Sequence, residues 1–298
     1  MGELLASLMR GLGTGGVYAM LGVSFVIIYR ATGVVNFATP ALMILGAFFT
    51  GYFGVSIGLP FIVSVILAMI VLAAIGLASE RIALRPMVGR PAFSAATVTV
   101  GLFIVFLVLA GRLLGSELLV VNDPFGLNTL DVLGARIFTV DIARLIVGLV
   151  AIGLVGLFLT RSRTGLAMRA TAFDQETSLA QGINVGRMFG LSWGIAAAMA
   201  ALAGAMLVAG SSGVETTFAL VALNALPVII LGGLDSIKGS VVAGIIIGIA
   251  ESLTRTYQPQ FAPWLGSNFD VIVPYLIMII VLMVRPYGLY GTKEVVRV

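Results

Sequence analysis

A chain of 298 residues with 60% hydrophobic and only 10% charged side chains, and a mean hydropathy of +1.14, is excluded from the soluble class, where charged residues make up about a quarter of the total. It reads as a polytopic membrane protein. The absence of Cys and His excludes disulfides, thiolate or imidazole metal centres and Ser-His or Cys-His nucleophile pairs, so no catalytic residue, metal ligand or cofactor site is assigned, and the net charge of +4 informs through its placement along the chain rather than its sum.

Met1 to Gly11 places Leu4, Leu5, Leu8 and Met9 at helical spacing but is too short to span, and is expected at the membrane interface. With Glu3 and no long apolar core it does not read as a cleavable signal peptide. An apolar run of about 20 residues covers a hydrocarbon core of about 30 Å. Nine runs approach that length, at 12–29, 34–53, 60–79, 92–114, 142–159, 189–209, 217–233, 240–254 and 270–284. The last three are short, so half-helices are expected among them, within a bundle of about eight to ten crossings. The string GLGTGG at 11–16 contains GxGxxG, but it opens a membrane span with no preceding strand, so close helix packing is the expectation. Gly190 with Gly194, and Gly244 with Gly248, carry the same small-residue signal.

Two runs are interrupted alike. GVVNFATPALMILGAF holds Asn36 and Pro40, and LVALNALPVIILGGL holds Asn224 and Pro227. A proline at membrane depth frees backbone carbonyls that are tolerable only against protein or a water-filled path. A pair of such segments in matching positions points to an inverted repeat around a central pathway, and the alternative is two ordinary Pro kinks.

Basic residues then set the expected orientation. Arg81, Arg85 and Arg90 flank one loop and Arg161, Arg163, Arg169 and Arg187 another, while 112–144 carries Glu117, Asp123, Asp131 and Asp141 against Arg112, Arg136 and Arg144. The first two segments belong inside and the third outside. Alternation adds Arg30 and the tail with Arg285, Lys293 and Arg297 to the inside, so eleven of seventeen basic residues are cytoplasmic and the N-terminus is outside.

Segment 161–187 is the long polar interruption of the second half. At 3.6 residues per turn Leu166, Ala170, Phe173, Thr177 and Ala180 share one stripe, and Gly182 follows as a stop signal. An amphipathic surface helix over about 163–182 is predicted, its plain alternative being a solvated loop helix. Glu215, Asp235, Lys238, Glu251 and Asp270 all fall near the ends of apolar runs, with Glu251 able to pair with Arg255 one turn on. No ionisable group is therefore expected deep in the membrane, which argues against a proton- or voltage-driven carrier. Gly232 to Ser240 looks superficially like a phosphate loop but breaks the GxxxxGK[ST] spacing. If ATP drives this protein, another chain binds it.

Tyr29 to Ala38 (YRATGVVNFA), the set Arg163-Thr164-Gly165, Met168-Arg169-Ala170, Asp174, Gly182-Ile183-Asn184-Val185 and Arg187, and Leu231 to Ser240 (LGGLDSIKGS) together resemble the permease of branched-chain amino acid ABC importers, the shorter LivH-type subunit. The resemblance covers essentially the whole chain, and its second segment is the most specific. It implies a single transmembrane permease domain over 1–298, all-α, in a bacterial inner membrane. Its implied partners are a second, homologous or identical permease subunit, two cytoplasmic ATP-binding subunits, an extracytoplasmic solute-binding protein and membrane lipid, with no nucleic acid. The cytoplasmic helix becomes the element that docks on the ATPase, through Arg163, Gly165, Arg169, Asp174, Glu176, Ala180, Gly182, Ile183 and Asn184. The importer pattern E-A-A-x3-G falls on Glu176, Thr177, Ser178 and Gly182, with Thr and Ser in place of the alanines. Tyr18, Asn36, Phe37, Thr39, Pro40, Asn224 and Pro227 are the pathway candidates, and Trp193 is a further aromatic that would narrow it.

Two departures bear on the solute. Thr39-Pro40 stands where the family has His or Gln followed by Gly, and Asp235 where a Gly-Ser pair is commoner. Branched-chain amino acids, other amino acids, urea and short amides stay open. An ATP-independent facilitator for a small neutral solute such as urea is the rival from another class, and it gives the 161–187 helix no partner.

Overall fold

A computed structural model describes residues 2–87, 89–114, 121, 123–132, 134–210, 223–266 and 268–292. Its elements in chain order are α1 (Gly2–Thr32), α2 (Thr39–Gly51), α3 (Phe61–Ser79), α4 (Ala92–Leu114), a hairpin of β1 (Thr129–Val132) and β2 (Ala135–Phe138), α5 (Thr139–Arg161), α6 (Arg163–Phe173), α7 (Gln175–Ala180), α8 (Val185–Val208), α9 (Ala225–Gly232), α10 (Ile237–Phe261) and α11 (Val273–Val284). The molecule is a polytopic helical bundle, and among the described residues seven helices are long and apolar enough to cross a membrane.

α1 is the axis. Its 31 residues run unbroken through the segment expected to lie at the interface. Gly11 and Gly15 let α10 approach to backbone contact. A Cβ on Gly11 would sit 2.7 Å from Ile249 Cα, and one on Gly244 2.7 Å from Ala19 N. Ser7 Oγ then donates to Ser252 O at 3.2 Å and Ser252 Oγ to Ser7 O at 2.8 Å, so Ser7 is buried against α10 while Glu3 and Leu4 stay exposed. The GxGxxG string and the Gly244/Gly248 pair are thus packing devices. α8 completes the centre, with its Gly204 against Met43 of α2, its Ala201 against Gly46 of α2, and its Gly194 against Leu77 of α3. α3, α4 and α5 turn most of their surface outward, as apolar helices facing lipid do.

Of the three short runs, the eighth is longer than its hydropathy implied. α10 continues to Phe261 with Arg255, Gln258 and Pro259 in its final turns. The described part of the seventh is the eight-residue α9, about 12 Å at 1.5 Å per residue and so well short of a bilayer. The ninth forms α11 behind a 3₁₀ turn, Phe269–Val271.

Both interrupting prolines stand in the first turn of a helix, where a missing N–H costs nothing. Pro40 opens α2 after a non-helical stretch, and Pro227 is the third residue of α9. At Pro40 the break over 33–38 therefore precedes the proline, which is not a kink within a continuous helix.

The antiparallel hairpin, with Thr129 opposite Phe138 and Val132 opposite Ala135, was not legible in the sequence. Gly2 packs on Gly134 beside it. Arg144 fastens this end of the molecule. It donates to Asp141 Oδ1 at 3.1 Å and to the carbonyls of Met206 (2.8 Å), Leu207 (2.9 Å) and Ala209 (2.7 Å), closing the C-terminus of α8. Asp123 pins the loop, accepting from Phe125 N at 2.8 Å, Gly126 N at 2.9 Å and Gly210 N at 2.8 Å. Glu117, Glu215, Lys293 and Arg297, named above, lie outside the described residues.

Candidate coupling surface and buried polar groups

The predicted single helix over 163–182 is two. α6 starts where Ser162 Oγ accepts from Gly165 N at 2.8 Å, and ends at Asp174, whose extended backbone (φ −154°, ψ 111°) starts α7. Asp174 caps α7, accepting from Thr177 N at 3.0 Å and from the Thr177 hydroxyl at 2.6 Å. Those bonds from Thr177 hold the Asp174 carboxyl below the ordinary carboxylate range.

α7 closes on a Schellman turn. Gly182 has φ +79°, its N–H donates to Leu179 O at 3.0 Å, and Ile183 N donates to Ser178 O at 3.0 Å. Asn184 then caps α8 by accepting from Arg187 N at 3.0 Å. Gly165 is buried against the end of α5, where a Cβ would meet Leu159 Cα at 2.6 Å, so a larger residue would push α6 off the bundle.

The inward face of this unit is Gly165, Met168, Thr171 and Ser178. The outward face keeps much of the predicted stripe, with Leu166, Phe173 and Ala180 exposed, and adds Leu179. Phe173 is 94% exposed. Arg163 and Glu176 are also exposed, and Arg169 is exposed with one guanidinium N–H 3.5 Å from Thr160 O. Ile183 is half-buried and packs on the core.

The pathway candidates form two groups. In the first, Asn36, Thr39 and Pro40 are buried at the start of α2. Asn36 Oδ1 accepts from Ala38 N at 3.0 Å, while its Nδ2 and Thr39 Oγ1 have no partner. Phe37, half-buried, is held by its N–H to Thr99 Oγ1 at 3.1 Å. In the second, the Tyr18 hydroxyl donates to Glu251 Oε2 at 2.7 Å and accepts from Asn224 Nδ2 at 3.1 Å. Asn224 Oδ1 is unpartnered, and Pro227 is buried one residue beyond Leu226. No hydrogen bond among the described residues joins the two groups. Trp193 is fully buried on α8.

Glu251, near the end of its apolar run, is buried within the bundle. It is 5% exposed, because α10 extends beyond the apolar run and leaves it well inside the helix. Arg255 compensates it, donating to Glu251 Oε1 at 3.1 Å and to Asp270 Oδ2 at 2.7 Å. The i,i+4 pair was legible in the sequence; the Tyr18 and Asp270 contacts, across 233 and 15 positions, were not. Thr99 was also missed, hidden in an apolar run.

A family model described as branched-chain amino acid transport system / permease component matches residues 7–282. The high-affinity branched-chain amino acid transport system permease protein LivH of Escherichia coli K12 is 28% identical over 307 residues, covering 99% of this chain and 97% of the relative. BraD of Pseudomonas aeruginosa, a permease protein of the same description, is 28% identical over 310 residues, covering 99% and 98%. A solved structure, PsaBC from Streptococcus pneumoniae in complex with Fab, aligns over 94% of this chain and 90% of that one at 17% identity and a TM-score of 0.49. With a match spanning nearly its whole length, the chain belongs to the family of permease components of branched-chain amino acid transport systems, and is a membrane component rather than an enzyme.

Proposed function

We propose that this permease translocates branched-chain amino acids, or a similarly small polar solute, as the membrane subunit of an ATP-driven importer. It works with a second permease subunit, two cytoplasmic ATP-binding subunits and an extracytoplasmic binding protein. The observation that carries this reading is the outward apolar face of α6 and α7, with Phe173 94% exposed beside the acidic Glu176. A helix pair capped at both ends yet presenting Leu166, Phe173 and Leu179 to solvent is suited to dock on another protein. In this reading ATP-driven movement of the ATPase subunits is transmitted through the Ser162, Asp174 and Asn184 caps to α5 and α8 as a rigid displacement.

The end that bears α6 and α7 is cytoplasmic. The basic residues Arg30, Arg81, Arg85, Arg90, Arg161, Arg163, Arg169 and Arg187 support that assignment, which leaves the N-terminus outside and the C-terminus inside. The solute passes Tyr18, Asn36, Phe37, Thr39 and Asn224, and the unpartnered polar atoms of Asn36, Thr39 and Asn224 offer weak, uncharged contacts. The paired Asn-Pro breaks before α2 and α9 are read as matching halves of an inverted repeat.

The test is co-purification of the detergent-solubilised chain with the ATPase encoded beside it, comparing wild type with Phe173→Glu and Glu176→Lys. Both side chains are exposed, so neither substitution unfolds the permease. Loss of the ATPase from both variants supports the proposal. Failure of the wild type to retain any ATPase contradicts it and favours an ATP-independent facilitator.

A further inference from the structure

The apolar α3 gives way to charge within one turn, from Leu77, 42% exposed, to Glu80 and Arg81. Beside that junction a groove of about 420 Å³ opens between the end of α3, the turns that follow it and the start of α8. Its volume falls within the about 300–1,000 Å³ of ordinary ligand sites. The two walls run in opposite directions, since a Cβ on Gly186 would meet Arg85, one on Gly190 Glu80 and one on Gly194 Leu77. Leu77 stands four residues before Arg81 and Leu191 four after Arg187. Each wall therefore carries an arginine at the rim and a leucine one turn deeper, and all four residues line the groove.

The charges at the rim do not balance. Glu80 is the one carboxylate in the lining. It is buried and is matched by Arg85, whose Nε stands 3.5 Å from its Oε1. Arg85 also rests on the first turn of α8, where a Cβ on Gly186 would come 2.6 Å from its Nη2. Arg81 and Arg187 are exposed, and among the described residues no carboxylate forms an ion pair with either. Two guanidiniums are thus left at one opening, where an anion between them would relieve their repulsion.

We propose that this groove binds an anionic phospholipid, its phosphate held by Arg81 and Arg187 and its acyl chains lying along Leu77 and Leu191. A guanidinium offers a fork of N–H donors matched to phosphate oxygens, and basic pockets between membrane helices are places where acidic headgroups bind. The apolar depth of the groove decides the source of the phosphate. A free ion gains nothing from two leucines, whereas a lipid joins the charged rim and the apolar depth in one molecule. Asn184, the cap of α8, also lines the groove, so the bound lipid touches the joint between α7 and α8.

The test is native mass spectrometry of the purified full chain in detergent, titrated with phosphatidylglycerol or with phosphatidylcholine of the same chain length. One phosphatidylglycerol should bind saturably, at least about tenfold tighter than phosphatidylcholine. Arg81→Gln and Arg187→Gln should each weaken that binding about fivefold. Both side chains are exposed, so the bundle stays folded, which thermal unfolding checks; Arg85 is left intact because it compensates Glu80. Arg136→Gln, at an exposed position of the hairpin, should change nothing. Inorganic phosphate at the lipid's own concentration should not displace it. Equal binding of the two lipids, phosphatidylglycerol binding indifferent to either groove substitution, or displacement by phosphate overturns the proposal. Variants that keep the lipid and lose the neighbouring ATPase would assign the two arginines to the subunit interface and overturn it as well. An ATPase that co-purifies with a chain unable to select phosphatidylglycerol would sink the lipid site and leave the proposed function standing.

Discussion

Tyr18 and Glu251 meet at 2.7 Å in the middle of the α1–α10 contact, hydroxyl donating to carboxylate, with Asn224 donating to the same hydroxyl from the turn before α9. Three segments far apart in the chain are joined by one phenol. Tyr18→Phe keeps the ring and orphans Glu251 Oε2 and Asn224 Nδ2. Each orphaned group costs about 1–3 kcal/mol, so thermal unfolding in detergent should show a lowered Tm. Unchanged unfolding would mean that water replaces the hydroxyl.

Arg144 should be more sensitive. It closes three carbonyls at the end of α8 and compensates Asp141, and both residues are largely buried. Arg144→Ala leaves Asp141 as an uncompensated buried charge, a loss of about 3–5 kcal/mol. The variant should be recovered poorly, and Arg144→Ala with Asp141→Asn should recover part of the loss. Equal yields for the single and double variants would contradict this.

At Gly182 the sign of the effect follows from φ. The residue sits at +79°, with nothing within 4 Å of a built Cβ. Gly182→Ala therefore meets no clash but pays the left-handed conformation, about 1–2 kcal/mol. Proteolysis between α7 and α8 should become faster, while bundle unfolding barely moves. Gly182→Asn, which tolerates that region, should lie closer to wild type.

Asp174 gives a pH dependence of determined sign. Its carboxyl is held below the ordinary value of 3.8 by the bonds from Thr177. A group depressed on folding contributes stability that is present above its unfolded pKa and lost as pH falls through its folded one. Order in α7, followed by hydrogen exchange, should thus be constant from neutral pH down to about pH 4 and decline below it. Asp174→Ala should remove both the cap and the acid limb; an acid limb that persists in Asp174→Ala would assign it elsewhere.

Much of the bundle was legible because apolar runs of membrane length have few alternatives, and the glycine spacings named the contacts that bring α1 and α10 together. The outward stripe of α6 and α7 was legible as well, since 3.6-residue periodicity survives a break of one residue. That break was not. Asp174 followed by Glu176 and Thr177 is a helix start signal, but inside a periodic pattern it reads as continuation. The reach of α10 to Phe261 was not legible either, because hydropathy ends a helix where polar residues begin, and the burial of Glu251 rests on Tyr18, 233 positions away.

The central claim is that the outward face of α6 and α7 is where the ATPase sits. It is tested most directly by placing a photocrosslinker there, Phe173→p-benzoylphenylalanine, in cells that express the neighbouring ATPase, with Leu154→p-benzoylphenylalanine as the lipid-side control. The account predicts a covalent adduct between position 173 and the ATPase, diminished by Glu176→Lys, and none from position 154. An ATPase that is present and assembled but uncrosslinked from position 173, or crosslinked equally from both positions, would contradict it.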